Sequence, residues 1–341
     1  MIRSAHLPTW TGPPLPLPRG PLSSALATDL TEGPSGLPGS DGVTEADPYG
    51  DDVQLCLYML YELHYQGLTG VDPRREWDPR LLGLRSALED HVTGALRRDL
   101  DGDGRSVCEA LDDLLAEPVR GDPTSVSHYL QRHGELWQLR EYAVLRSLYH
   151  LKEADPHAWV IPRLRGRAKA GMVAVEYDEF GAGRAEDIHA VLFADLMADL
   201  GLDTAYGHYV DVAPAQALAP VNLMSLFGLH RSWRGALVGH FASVEITSSP
   251  ASGRLAQAMR RTGAGPAAER FYTEHVEADA VHEQVVRREV IGGLLDDEPG
   301  LEPDVVFGVA ATEELDRRLA TTVLGAWRRG DSALRRPGLD G

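Results

Sequence analysis

The sequence predicts an all-α fold, and three observations support this prediction. Apolar residues recur at intervals of three and four along most of the chain, as they do on the buried face of a helix. No convincing run of alternating apolar and polar residues, which would indicate a half-buried strand, is found. No repeat of fixed period is detected. We therefore expect a helical bundle, for which 341 residues supply a sizeable core.

The apolar spacing also locates the individual helices. The predicted helices span residues 51–66, 81–100, 107–115, 125–132, 135–154, 157–180, 184–200, 221–246, 254–261, 271–291 and 304–329. Glycine and proline mark several of their ends. Residues 247–250, which end in Pro250, are expected to close the helix over 221–246. Gly292 and Gly293 are expected to stop the helix over 271–291, and residues 203–219 are expected to be irregular.

Composition divides the chain into four parts. Residues 1–50 are rich in Pro and Gly and are predicted to be an extended arm, in which only residues 21–30 can form a short helix. Residues 51–122 are predicted to be an N-terminal helical extension packed on the core. Residues 123–330 form the main helical domain and contain the candidate site, and residues 331–341 are a C-terminal tail.

Charge and cysteine content limit the classes of function. The net charge of −18 disfavours binding to nucleic acid or to an anionic membrane, because both need clustered Lys and Arg. Cys56 and Cys108 form neither a CxxC pair nor a disulfide framework, which fits a reducing compartment. No apolar run is long enough to span a membrane. We expect a soluble, cytoplasmic protein whose partners are small molecules or proteins.

The strongest chemical signal lies in the predicted helix over residues 271–291. His275, Asp279 and His282 occupy positions i, i+4 and i+7, which places all three on one face of that helix. A buried stripe of this kind is costly unless its members are paired or bind a metal. Two imidazoles and a carboxylate on one face therefore predict half of a metal site.

Further carboxylates and a histidine fall late on other predicted helices or near their ends. These residues are Glu153, Glu179, His189 and Glu245. A bundle of four or more helices can direct such side chains to a common point. A donor set rich in carboxylates and supplemented by imidazoles suits iron or manganese better than zinc alone.

The spacing of these residues resembles that of a known family. Glu153, Glu179, His189 and Glu245, followed by His275-x-x-x-Asp279-x-x-His282, is similar to the ligand pattern of the heme-oxygenase-like diiron oxidases. The flanking residues 152–157 and 274–279 are also similar, most of all to the diiron N-oxygenase domain of N-nitrosourea biosynthesis. The resemblance covers about residues 125–291. It implies a heme-oxygenase-like helical bundle with an N-terminal helical extension.

The resemblance also implies a diiron cofactor and the residues that would bind it. Two Fe²⁺ ions would be held by six ligands, and Glu153 would be a supplementary seventh that joins when oxygen is activated. The six are Glu179, His189, Glu245, His275, Asp279 and His282. O2 would be the co-substrate, a small molecule the substrate, and an electron donor could re-reduce the irons. A homodimer is left open.

One ligand has a rival. Glu186-x-x-His189 is the i, i+3 pair typical of ferritin-like diiron bundles, whereas Glu179 and His189 would lie about 15 Å apart along a straight helix. The resemblance favours Glu179, and Gly181 and Gly183 are expected to break the helix between Glu179 and His189.

The resemblance implies a non-heme diiron oxidoreductase that N-oxygenates an amine or guanidine group through a peroxide bound to both irons. Oxidative C–C cleavage or decarboxylation of an amino or fatty acid is the alternative outcome for the same cluster. A non-catalytic iron-binding bundle is a further alternative. A heme-binding use of the fold needs one axial His, and six spaced ligands argue against it.

Overall fold

A computed structural model describes residues 12–34, 36–100, 104–116 and 121–336. Within these ranges the side chains of five residues lie outside the description, namely Ser40, Asp41, Glu277, Asp279 and Ala280. The described ranges contain helices, turns and loops but no β-strand, so the predicted all-α fold is confirmed. No helix among the described residues combines the length and apolarity that crossing a membrane would need.

Fifteen α-helices are described in these ranges, numbered here in chain order. They are α1 Pro21–Glu32, α2 Ser40–Thr44, α3 Asp51–Glu62, α4 Pro79–Asp99, α5 Val107–Leu114, α6 Val126–His133, α7 Leu136–His150, α8 Asp155–Ala158, α9 Gly166–Glu179, α10 His189–Asp199, α11 Ala215–Leu229, α12 Arg234–Thr262, α13 Pro266–Val285, α14 Gly292–Asp297 and α15 Glu302–Trp327. A π-helical segment, Val286–Ile291, joins α13 to α14.

The N-terminal helices begin where the sequence supplies acceptors for their free amides. Asp52 accepts hydrogen bonds from the backbone amides of Leu22 (2.9 Å) and Ser23 (2.8 Å), so the start of α3 caps the start of α1. Asp78 caps α4 by accepting from Arg80 N at 2.9 Å. The helix predicted within residues 21–30 is thus present and anchored, whereas residues 1–11 lie outside the described part of the chain.

The long helix α12 is the centre of the bundle. It packs on α13 along one side and on α15 along another, and α5, α6 and α11 also contact it. Two glycines let α12 and α15 approach closely. A Cβ atom at Gly239 would overlap the carbonyl oxygen of Val305, and one at Gly308 would overlap that of Ala236. The division of the chain at residues 50, 122 and 330 stays a prediction.

Two predicted boundaries in the α11–α12 region are wrong. Residues 221–246 do not form one helix, because α11 already begins at Ala215 and ends at Leu229, and α12 starts only at Arg234. The region 247–250 does not close a helix, since α12 continues through Pro250 to Thr262. Pro250 removes one amide donor, but the buried face beyond it, which includes Leu255 and Met259, keeps the helix together.

The expected stop at Gly292 and Gly293 is also wrong. The helical path continues through both residues into α14. A Cβ atom at Gly293 would lie 2.7 Å from the backbone nitrogen of Ala168. This glycine therefore serves close packing against α9, and the sequence alone cannot distinguish that role from a helix end.

Candidate metal centre

Two groups of potential metal donors meet inside the bundle. Glu153, His189 and His275 form the first, with one donor atom from each lying within 4.8 Å of the others. Glu179, Glu245 and His282 form the second, by the same distance. All six predicted site residues whose side chains are described therefore fall into one group or the other. The side chain of Asp279 lies outside the described part of the chain.

The first group joins the turn after α7 to helices α10 and α13. The rings of His189 and His275 lie 4.4 Å apart between centroids, and His275 Nε2 lies 3.9 Å from Glu153 Oε2. Glu153 follows the end of α7, and the next residue, Ala154, has a φ of +74°. A positive φ is rare for a residue other than glycine and persists where the surroundings enforce it.

The second group joins α9, α12 and α13. His282 Nδ1 lies 3.1 Å from Glu245 Oε2 and 3.6 Å from Glu179 Oε1. All three side chains are buried. Glu245 lies one turn after Phe241 and Ala242 on the buried face of α12, so its position on the helix holds its carboxylate inside the bundle.

A sharp turn in the backbone brings Glu179 to His189. Gly181, Ala182 and Gly183 all have positive φ, of +75°, +51° and +85°, and this break ends α9 before α10 begins. As a result Glu179 Oε2 lies 2.7 Å from His189 Nδ1. Glu186, the rival of Glu179, lies exposed in the short helical turn Ala185–Asp187 and belongs to neither donor group.

Neighbouring groups fix the orientation of several donors. His275 Nδ1 donates a hydrogen bond to the carbonyl oxygen of Phe271 (2.7 Å), so Nε2 keeps its lone pair and faces Glu153. His282 Nε2 lies 3.3 Å from Asp178 Oδ2, which leaves Nδ1 for the second group. A histidine that binds a metal commonly gives its other ring N–H to a carbonyl or carboxylate in this way.

The first group also has a support outside the metal donors. His150 Nδ1 donates to both carboxylate oxygens of Glu153, at 3.0 Å each. Burial raises the pKa of Glu153, but the charges and hydrogen bonds of His150 and His275 together outweigh it and hold that pKa well below its ordinary value. Glu153 is therefore kept as an anion, which is the form that binds a cation.

Electrostatics in the second group favour a positive charge between the donors. Burial lowers the pKa of His282, but the hydrogen bond and charge of Glu245, the charge of Glu179 and the hydrogen bond of Asp178 together outweigh it and bring the pKa to about 9. Without a metal, a proton on His282 thus supplies the positive charge that Glu179 and Glu245 need. A metal cation would replace that proton.

The donor set fits a metal site. His189 Nδ1 is buried, and no described group satisfies it with hydrogen-bond geometry, although Glu179 Oε2 lies 2.7 Å away. Two donor atoms this close to each other can both serve as ligands of one cation. Carboxylates and imidazoles together suit iron, and clustered buried carboxylates are costly without a cation.

Comparisons with known proteins identify the family of this chain. The family model described as "Iron-containing redox enzyme" matches residues 140–317, which is more than half of the chain. The chain belongs to this family. The matched range contains every residue of both donor groups. The enzyme is therefore an iron-dependent oxidoreductase of the heme-oxygenase-like class, and its resemblance to that class is confirmed.

One curated relative was found by similarity of sequence. The enzyme is 24% identical over 278 residues to a nitrosourea synthase of Streptomyces achromogenes subsp. streptozoticus. The match covers 75% of this chain but only 58% of that protein. The chain thus spans little more than half the length of its relative.

Sequence reasoning missed three polar residues around the centre. Asp178 contacts His282. Glu176 and His157 are buried, and the charges of the candidate ligands contribute to the pKa of each. Asp178 could have been found as the neighbour of Glu179. His157 stood only among the flanking residues 152–157 that resemble the family and was given no role of its own, and Glu176 carries no spacing signal.

Proposed function

We propose that the enzyme is a non-heme diiron oxygenase that uses O2 to oxidise the nitrogen of an amine or guanidine group in a small molecule. The observation that carries the proposal is the meeting of two donor groups, each with one or two carboxylates and one or two imidazoles, in one buried site. The similarity to a nitrosourea synthase supports nitrogen as the atom oxidised.

The donor groups suggest which residues would hold each ion. One iron would be held by Glu153, His189 and His275, and the other by Glu245 and His282. Glu179 lies near both groups, 2.7 Å from His189 and 3.6 Å from His282, and would be a ligand within reach of either ion. Asp279, one turn from each of its neighbours His275 and His282 along α13, would complete the set.

Two ferrous ions in this site would supply two electrons to dioxygen. The protein's own contribution is to hold and orient. His150 keeps Glu153 ionised and in place, Phe271 fixes the tautomer of His275, and Asp178 orients His282. The apolar side chains that surround the centre, such as Phe193 and Phe271, exclude water from it.

The proposal is tested by anaerobic titration of the metal-free protein with Fe²⁺, followed by mixing with oxygenated buffer. Saturation at two irons per chain, coupled Mössbauer signals, and an N-oxidised product from a panel of amines and guanidines are the expected results. Two irons with cleaved or decarboxylated products would replace N-oxygenation by oxidative fragmentation. Two irons with oxygen consumption but no product from any substrate would indicate an iron-binding bundle. One iron or none would overturn the diiron site.

A further inference from the structure

Glu176 is a buried carboxylate that the metal centre does not use. It is 2% exposed, and neither of its oxygens has a hydrogen-bond partner among the described residues. An unpartnered carboxylate inside a protein is costly, so such a group either takes up a proton or is satisfied by something outside the chain. Glu176 is therefore a candidate for contact with a ligand.

Glu176 lies beside the centre. It precedes Glu179 by three residues on α9, so the two side chains leave the same face of the helix with Cβ atoms about 5–6 Å apart. Burial raises the pKa of Glu176 far above its ordinary value, and the charges of Glu179 and then Glu245 raise it further. Glu176 thus shares a helix face with Glu179, and the charges of both carboxylates of the second donor group act on it.

Its oxygens are nevertheless not part of either donor group, both of which are complete triads without it. A second polar atom near the centre is also unsatisfied. His157 Nε2, on the neighbouring helix α8, is buried and has no hydrogen-bond partner among the described residues. Burial lowers the pKa of His157, and the charges of Glu179 and Glu153 act on that pKa in the opposite direction. Two unsatisfied polar groups therefore accompany the metal donors.

We propose that Glu176 binds the cationic nitrogen group of the substrate, a guanidinium or alkylammonium, and so determines specificity. This inference rests on the proposed function, because it places the substrate beside the irons. Binding of the cation would release the proton that Glu176 holds when the site is empty of substrate. A guanidinium can give two parallel N–H bonds to the resulting carboxylate, which would satisfy both oxygens at once. His157 Nε2 offers one more hydrogen bond to the bound group. The net charge of −18 favours the approach of a cation.

The test compares matched cations and neutral molecules. Binding of butylguanidine and butylurea, and of butylamine and butanol, is measured by calorimetry on the iron-loaded protein without oxygen. The wild-type protein is expected to prefer each cation over its neutral counterpart by at least about tenfold. Glu176→Gln should reduce that preference to near one, and Glu176→Asp should retain part of it.

Two measurements separate substrate binding from other roles of Glu176. The iron content of Glu176→Gln is expected to equal that of the wild type, and loss of an iron would overturn the proposal by making Glu176 a ligand. The melting temperature should be unchanged or higher, because the carboxylate has no partner to lose. A lower melting temperature together with an unchanged preference for cations would assign Glu176 a structural role.

Glu141→Gln is the matched control. Glu141 is also a buried carboxylate, but its Oε2 accepts hydrogen bonds from Trp327 Nε1 and the Ala333 amide, at 2.9 Å each. The cation preference should survive this substitution. A wild-type protein that prefers no cation in either pair would overturn the proposal.

The binding role of Glu176 and the proposed N-oxygenation can be refuted independently of each other. A cation preference that depends on Glu176, without N-oxidised product, would refute N-oxygenation and leave the binding role intact. An N-oxidised product from an enzyme whose Glu176→Gln variant keeps its cation preference would refute the binding role alone.

Discussion

Lys152 Nζ lies 2.7 Å from Glu62 Oε2, and both side chains are buried. Tyr206 donates a further hydrogen bond to the same carboxylate oxygen at 2.9 Å, and the ring of Tyr65 lies 3.9 Å from the ammonium. The pair ties α3 to the turn that carries Glu153, the residue that follows Lys152. The helical extension is thus coupled to the candidate metal centre through one ion pair.

Replacing Lys152 by Met should destabilise the protein by about 3–5 kcal/mol, because Glu62 would remain charged and buried without its partner. Denaturant or thermal unfolding of the metal-free protein measures the loss. The double variant Lys152→Met, Glu62→Gln should recover part of it, since the remaining amide can still accept from Tyr206. A single variant as stable as the wild type would show that the pair contributes nothing.

Sequence reasoning predicted the helices well where packing and local signals agree. The starts of α3, α5 and α6 fall within a residue of their predicted positions, because polar residues or glycine precede a clear apolar pattern there. It failed where tertiary packing outweighed a local signal, as at Pro250 and Gly293. Both residues are helix breakers by propensity, and buried neighbours keep both in a helix.

The candidate site was predicted as a list of residues, but not as a geometry. Periodicity placed His275 and His282 on one face of a helix, and the resemblance supplied Glu153 and Glu179. The approach of Glu179 to His189 depends on three successive positive φ angles, two at glycines, which permit but do not dictate them, and one at Ala182, where the sequence gives no sign of it. Contacts between distant segments, such as Asp178 with His282, leave no mark in a single sequence.

Glu179 and Glu186 can be distinguished by one matched pair of variants. Glu179→Gln should bind at most one iron per chain, because it removes a charged donor that lies near both groups. Glu186→Gln should bind iron like the wild type, since Glu186 is exposed. Colorimetric iron determination after anaerobic loading measures both. Loss of iron in the Glu186 variant alone would reverse the assignment.

Asp178→Asn should weaken iron binding by about 10- to 100-fold without abolishing it. The amide loses the negative charge that Asp178 presents 3.3 Å from His282 Nε2, so the ring is held less firmly with Nδ1 toward the second group. Competition with a calibrated chelator measures the affinity. Asp195→Asn, an exposed acid on α10, is the control and should leave it unchanged. Equal iron affinities in the wild type and both variants would show that Asp178 does not support the metal site.

Gly239→Ala and Gly253→Ala should have opposite effects, although both lie in α12. A Cβ atom at position 239 meets backbone of α15 and should cost at least about 1–3 kcal/mol through overpacking. At position 253 the nearest atom is Val276 Cγ2 at 3.8 Å, so alanine should stabilise the helix by up to about 1 kcal/mol. Melting temperatures of the two variants decide the matter. A tolerated Gly239→Ala would show that α12 and α15 can separate.

His157 should make the metal-free protein sensitive to acid. Burial lowers its pKa from 6.5 to about 4. Above pH 6.5 the His157 ring is neutral in both the folded and the unfolded chain, so its titration does not change the unfolding free energy there. Between pH 6.5 and 4 only the unfolded chain takes up the proton, and stability is lost as the pH falls, by about 3 kcal/mol for this group.

His157→Phe keeps an aromatic ring beside His240 and Phe241 but cannot titrate. Between pH 7 and 4 the unfolding free energy of the His157→Phe variant should therefore fall less than that of the wild type. Other buried groups such as His240 lower the stability of both proteins over this range. Parallel pH profiles for the two proteins would mean that His157 has the same pKa in the folded and the unfolded chain.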